Sequence, residues 1–386
     1  MEKIVIIGGG ASSLFCTLNL SDRYDITILD GNSILGKKIL VTGNGRCNFW
    51  NKDMSNNHYE SDSNLLDDML TDDLKEKTFS IFTRLGLSYK TRNNYYYPYS
   101  DKALTIKNML VREINNKAKI KLNYMVNKIE YKNQKYIIND EIYADRLIMA
   151  TGGLNNEIQS LLEPFNFKVV KTSGSLAPII TDGNYLNKWD GIRTDVKASL
   201  YIDGNLIKEE NGEIQLTSKG ISGICIFNLS GLVSHNLNSK PINIKIDFLP
   251  FLKTSTIDFL NRRKDLSIKD ELNLTLNETL VDLILDLSGI DYSKTITDLS
   301  KKELSKLESH LREFSVNPIG IEDKKAQVTR GGISLEEINI QKFETLKYPK
   351  MYLIGEILDV DGECGGYNLG FAWMSAYQCA RSINND

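Results

Sequence analysis

Cysteine is scarce and poorly placed for cross-linking: Cys16, Cys47, Cys225, Cys364 and Cys379 are odd in number and form no CxxC pair. That excludes a disulfide framework and a zinc site of the usual spacing. Histidine is scarcer still, with His58, His235 and His310 at no ligand spacing, so no metal is expected. An excess of either charge is also missing. With 47 basic and 50 acidic residues the chain carries a net charge of -3, which leaves no chain-wide positive field for nucleic acid or an anionic membrane. No apolar run approaches the ~18 residues that span a bilayer, and the glycines from Gly8 onward interrupt any secretory h-region. Internal repeats and low-complexity tracts are absent. These absences predict a cytoplasmic protein acting on a small-molecule substrate, with no nucleic acid or membrane partner; they do not indicate an oligomeric state.

What the chain does have is a sharply patterned start. In "IVIIGGGASSLF" the apolar run Ile4–Ile7 reads as a parallel strand buried on both faces, and it stops at glycine. "ASSLFCTLNL" then fits a helix and "YDITILD" a second strand, giving a βαβ unit within the first 30 residues. Gly8-x-Gly10-x-x-Ser13 matches the dinucleotide fingerprint at its first two glycines. Gly8 serves the tight turn. Gly10 lets a pyrophosphate approach the backbone at a helix start, where free N–H groups and the dipole favour negative charge. Ser13 stands in for the third glycine, and Asp30, at the tip of the second strand, suits an adenosine ribose. NAD and FAD are not separable on this evidence.

Farther on, "IYADRLIMATGG" and "MYLIGE" read as further strands of the same layer. Between them "VKASLYIDGNLI" alternates and turns at Asp203-Gly204, a hairpin pattern. Leu272, Leu276, Leu280, Leu283 and Leu287, then Leu304, Leu307, Leu311 and Phe314, repeat at helical spacing. The expectation is an α/β domain from residues 1–190 and 319–386, a β-rich insert over 191–250 and a helical insert over 251–318. Near the end, Gly355-Glu356 closes a strand, Asp359 and Asp361 follow in a loop, and Gly365-Gly366-Tyr367-Asn368 opens a final helix. The positive end of that helix would stabilise negative charge on a ligand placed there.

"GKKILVTGNGRCNFWN", "YYPYSDKA", "LIMATGG", "AQVTRGGISLEEIN" and "MYLIGEILDVDGECGGYNLGFAWMSAY" occur in this order. Together they resemble the aminoacetone oxidase/BaiN-type (YhiN-like) FAD-binding flavoprotein family. The resemblance implies a glutathione-reductase-type, Rossmann-like FAD-binding domain with a β-barrel-like insert and a helical insert. It implies FAD contacts at Gly8, Gly10, Ala11 and Ser12, at Asp30 and Gly31, and at Lys38, Asn44, Gly45, Arg46, Cys47 and Asn48. Further contacts are implied at Val126, at Ala150, Thr151 and Gly152, and at Gly355, Glu356, Asp359, Gly366, Tyr367 and Asn368.

The activity implied is an FAD-dependent oxidoreductase passing a hydride between flavin N5 and a small organic substrate, by amine oxidation or enone reduction, with NAD(P)H as a transient donor. No catalytic residue is assigned. Cys364 replaces the family's usual threonine, Ser218 its usual histidine and Asp30 the commoner glutamate. A flavin-dependent RNA modifier or redox sensor is the alternative, for which "NRRK" (261–264) is the candidate basic site, although so short a run more often forms a solvated face. Cys47 and Cys364 suggest a dithiol relay, against which stands the ordinary use of cysteine as a small core residue. Arg46 either stabilises reduced flavin or braces its own loop. "NNYYYPYS" reads as a solvent-edge strand with tyrosines covering the core in preference to a lid.

Overall fold

Strand β1 (Lys3–Ile7) runs parallel to β2 (Asp25–Leu29) on one side and to Arg146–Met149 on the other. Ile4, Val5, Ile6 and Ile7 are all buried, as a strand covered on both faces requires. Each such side chain contributes about 1.5–3 kcal/mol of apolar burial. Ala118–Lys121 extends the parallel sheet beyond β2, and Met351–Leu353 extends it beyond Arg146–Met149. A short antiparallel margin, Ile338–Asn339 and Glu344–Thr345, completes seven strands. Helix α1 (Ala11–Asn19) and the last helix, Tyr367–Asn385, pack on this sheet and share its core through Phe15 and Trp373, whose rings lie 5.3 Å apart.

The computed structural model describes residues 1–386. Their contacts divide into two units, Met1–Thr172 with Val328–Asp386, and Ser173–Gln327. Residues 173–190 and 319–327, assigned from sequence to the nucleotide-binding domain, therefore fall in the second unit. The reason is pairing: Ile179–Thr181 is hydrogen-bonded to Pro318–Ile321, with Ile179 opposite Ile321.

The second unit holds a seven-stranded antiparallel sheet whose longest members are Arg193–Ile202 and Asn205–Thr217. Val196, Ala198, Leu200 and Ile202 point inward, and Asp203 and Gly204 both take positive φ in the turn, as the alternation predicted. The β-rich and helical segments share one core, since Leu200, Ile244, Leu280 and Leu307 belong to the same cluster. The leucine series is not one helix. It breaks between Ile268–Asn273 and Glu278–Ser288, where Asn277 caps the second helix, and Phe314 lies in a strand.

Candidate cofactor and active site

β1 ends at Gly8, whose φ of +101° disfavours any side chain, and a Cβ there would sit 2.2 Å from the carbonyl oxygen of Ala150. Gly8 N–H bonds the Leu29 carbonyl at 2.8 Å, and Ala150 N–H bonds that of Ile7 at 2.8 Å. The three strand ends are thus pinned together. Gly10 is different: a Cβ added there meets nothing within 4 Å. It is the N-cap of α1 and supplies no side-chain cap, so the leading N–H groups of the helix have no side-chain acceptor from it. An uncapped helix start beside open space suits a diphosphate.

Asp30 performs a structural task as well as the expected one. Its Oδ2 accepts from Gly9 N–H at 2.5 Å and its Oδ1 from Asn32 N–H at 2.6 Å and the Asn32 amide at 2.9 Å. The carboxylate holds the glycine turn and, having about four acceptor positions, keeps capacity for a ribose hydroxyl. Tyr124 N–H bonds the Asp30 carbonyl at 2.9 Å, which brings the segment containing Val126 beside Asp30 and Gly31.

The two chain ends converge. Gly355, which follows the Met351–Leu353 strand, lies against Ser12, with a Cβ there only 2.8 Å from Ser12 Oγ. Glu356 accepts from Lys38 Nζ at 2.8 and 2.6 Å and from Thr329 N–H at 2.9 Å, beside Gly152 and Gly153. The Thr42–Asn48 loop places Asn44 (φ 54°) and Cys47 (φ 58°) in the left-handed region, strain of the kind that persists at ligand clamps. Asn48 points to the start of the last helix, where Gly366 is the N-cap and, again, gives no side-chain cap. Asn368 brackets Gly362, accepting from its N–H at 2.9 Å and donating to its carbonyl at 2.6 Å.

Ser13 Oγ, Asn48 Oδ1 and Thr151 Oγ1 are buried polar atoms without partners in this unit, as are several in the second unit, among them Thr256 Oγ1 and Asn273 Oδ1. Each leaves a desolvation cost that a bound polar ligand could relieve. The open cradle at Gly10, the uncapped helix starts and these orphaned atoms fit an extended dinucleotide such as FAD. Ser13 is fully buried, a small residue in the place of the third glycine.

Cys47 is fully buried, and burial pushes its pKa up to about 12 although the Thr42 hydroxyl opposes the shift. A buried thiol held neutral is a poor nucleophile, which counts against the dithiol relay. Asp359 is buried, which raises its carboxyl above the usual range; the Asp62 N–H, at 2.8 Å, and the Ser61 hydroxyl, at 3.1 Å, oppose the rise. Arg46 is exposed on its loop and makes no ion pair.

Several groups escaped the sequence reading. His58 Nδ1 lies 2.7 Å from Glu363 and Nε2 lies 3.2 Å from Asp53, and its ring stacks on Tyr367 at 4.5 Å. Ionised carboxylates only accept, so a protonated ring is the form that satisfies both contacts. Burial lowers its pKa, but the bonds to Glu363 and Asp53 outweigh that and the net shift is upward. Arg330 pairs with Glu60 and lies 3.7 Å from Asp361. Residues 305 positions apart in sequence, such as His58 and Glu363, carry no local signal of such contact.

The family described as HI0933-like protein Rossmann domain matches residues 2–382. A 3-dehydro-bile acid delta(4,6)-reductase from Clostridium scindens is 30% identical over 99% of both chains. A ribosomal RNA dihydrouridine synthase from Haemophilus influenzae is 28% identical over 98% of both. Among solved structures, the open conformation of a flavocytochrome c3 fumarate reductase aligns with 99% of this chain and 78% of its own, with 11% identity and a TM-score of 0.44.

Proposed function

The chain belongs to the HI0933-like Rossmann-domain family, and from that premise we propose that it is an FAD-dependent oxidoreductase that reduces a carbon–carbon double bond conjugated with a carbonyl. The observation that carries the reading is the meeting of the two chain ends, Ser12 against Gly355, beside the contact of Gly8 with Ala150, around an uncapped helix start with open space at Gly10. The choice of conjugated alkenes over amines follows from the two relatives. A Δ4,6 bond system beside a 3-oxo group and the 5,6 bond of a uracil ring are both alkenes in conjugation with a carbonyl.

Gly10, Ala11 and Ser12 would receive the diphosphate, Asp30 the ribose, and Asn48, Gly366 and Tyr367 the ring end. When bound, FAD supplies a hydride carrier, which the polypeptide lacks. The protein's part is electrostatic and positional. The start of the Tyr367–Asn385 helix presents partial positive charge, and Asn368 and the His58 ring stacked on Tyr367 fix where that start lies. In the overall step a hydride adds to the β-carbon and a proton to the α-carbon, while a nicotinamide dinucleotide visiting transiently gives up the electron pair.

The test is anaerobic. NADH or NADPH should bleach the flavin absorbance of the purified protein, and a conjugated enone should restore it, with deuterium from the labelled donor appearing at the β-carbon. Bleaching by small primary amines with no recovery on enone addition would replace this reading by amine oxidation.

A further inference from the structure

Arg146 and Arg330 are largely buried, with side chains 5% and 14% exposed, and the chain answers them differently. Arg146 is enclosed by partners. Its Nη1 donates to the Tyr352 hydroxyl at 2.8 Å and to Asp386 at 2.9 Å, and its Nε lies 3.2 Å from Glu2. Arg330, on the strand Val328–Ile333, gives Nη1 to Glu60, with Asp361 at 3.7 Å. Its Nε and Nη2 donate to no protein atom, and neither is sealed from solvent. A guanidinium is a donor on all three nitrogens. Enclosing one while leaving two of those nitrogens unmet has a desolvation cost that a bound acceptor would relieve.

The neighbours of Arg330 set where those donors lie. Thr329 N–H bonds Glu356 at 2.9 Å, and the Thr329 side chain occupies the place a Cβ on Gly153 would take. On the other side, a Cβ on Gly332 would lie 2.6 Å from the Ile357 carbonyl, and Asp359 N–H bonds the Ile333 carbonyl at 2.9 Å. The strand therefore runs directly against residues 357–359. Glu60, which holds the guanidinium, pairs with Asp361 in a two-stranded ladder, and Tyr59 pairs with Gly362, the residue that Asn368 brackets. Arg330 thus lies over residues 356–362, between the candidate flavin contacts at Glu356 and at Tyr367.

A hydride added to the β-carbon of a conjugated enone breaks the carbon–carbon π bond and moves its electron pair toward the carbonyl oxygen. That oxygen carries enolate charge until the α-carbon takes a proton from water and the carbonyl re-forms. Fixed N–H donors at the oxygen stabilise the charge as it develops. A guanidinium suits the task, because it stays charged and its planar fork, here oriented by Glu60, has two further nitrogens to donate. We propose that Arg330 is the catalytic residue that receives the substrate's carbonyl oxygen through Nε and Nη2, with Glu60 as its positioning residue. The assignment rests on the enone reading above and adds the group that polarises the substrate. It also sets a charge class. Glu60 and Asp361 offset the guanidinium, so an uncharged carbonyl compound meets no net repulsion there, whereas a carboxylate would face both acids.

The experiment compares the flavin-loaded, full-length wild type with Arg330→Lys and with the double variant Arg330→Met, Glu60→Gln. Removing both partners leaves the net charge unchanged and strands no acid, so a loss reports the missing N–H donors. Infrared difference spectra of bound cyclohexanone, isotope-labelled at its carbonyl carbon, should show the carbonyl band at lower frequency in the wild type than in the double variant. In the double variant kcat for 2-cyclohexenone should fall about 100-fold to 1000-fold, with KM changed by no more than about threefold and anaerobic bleaching by the nicotinamide donor unaltered. Arg330→Lys, which keeps the charge without the fork, should fall between. Fumarate, a dianionic alkene, should be a poorer substrate than the enone. The same carbonyl frequency or the same kcat in wild type and double variant overturns the proposal and leaves Arg330 as a tie between strands. Loss of flavin from the double variant overturns it in favour of a cofactor-holding role, and preference for fumarate over the enone overturns it in favour of an anion site. A wild type that takes up no flavin overturns the parent reading instead, and its colourless spectrum tells the two failures apart.

Discussion

The helix starts of the two regions differ in a way that locates function. In the helical part of the second unit, Ser255, Ser267, Asn277 and Ser300 each accept a hydrogen bond from the first turn of the helix they precede, and Ser300 forms a full capping box with Glu303. Those helix starts are capped from within the chain. In the first unit α1 and the last helix begin at Gly10 and Gly366, without a side-chain cap. A glycine start is not by itself a ligand site. Ile224–Asn236 in the second unit also begins at a glycine, Gly223, but a Cβ there would strike the Glu213 carbonyl at 2.3 Å, so that glycine exists for packing. Gly10 faces open space. The lesson is narrower than a division between units: Thr71 and Asn155 cap helices of the first unit too, and a Cβ at Gly366 would lie 2.8 Å from the Trp50 carbonyl, so α1 at Gly10 is the helix start that leaves N–H groups beside open space.

Substitutions can break or sharpen this contrast. The largest effect belongs to Gly8→Ala, which puts a methyl 2.2 Å from the Ala150 carbonyl at a φ of +101°. Overpacking and backbone strain together should cost roughly 2–6 kcal/mol, seen as loss of soluble yield or a fall in urea midpoint. Ser300→Ala removes a cap and should cost about 1 kcal/mol, read as a lowered Tm with flavin retention unchanged. If it released flavin, the division between the two kinds of helix start would be wrong.

A smaller, pH-dependent effect is expected at His58. Its folded pKa is raised, so it binds its proton more tightly folded than unfolded. The stabilisation is then complete below the unfolded histidine pKa and disappears as pH rises through the higher folded value. Thermal stability of the native protein should fall over that window, and His58→Gln should flatten the fall. An unchanged profile in the variant would remove His58 from the clamp on Tyr367.

Much of the first unit was legible because its signals are local. Four buried residues, a glycine turn, a helix and an acid at the next strand tip lie within thirty positions, and all assemble as read. The C-terminal motif was legible for the same reason. What stayed hidden is made of distant partners: Lys38 with Glu356, Arg330 with Glu60, His58 with Glu363. The leucine series misled because helical spacing continues across Asn277, while the backbone ends one helix at Asn273 and starts another at Glu278. "NNYYYPYS" was half legible. Tyr96 covers the core as an edge tyrosine should, but alternation turns Tyr95 and Tyr97 the other way, which composition alone did not reveal.

Calorimetric titration of FAD into flavin-free protein, wild type against Gly10→Val, addresses the cofactor cradle most directly. A valine at Gly10 meets no protein atom within 4 Å of its Cβ, so the variant should fold and melt close to wild type yet bind FAD at least a hundredfold more weakly. Equal affinity in the two proteins would mean that the open helix start receives nothing, and the assignment of the first unit as an FAD cradle would fall.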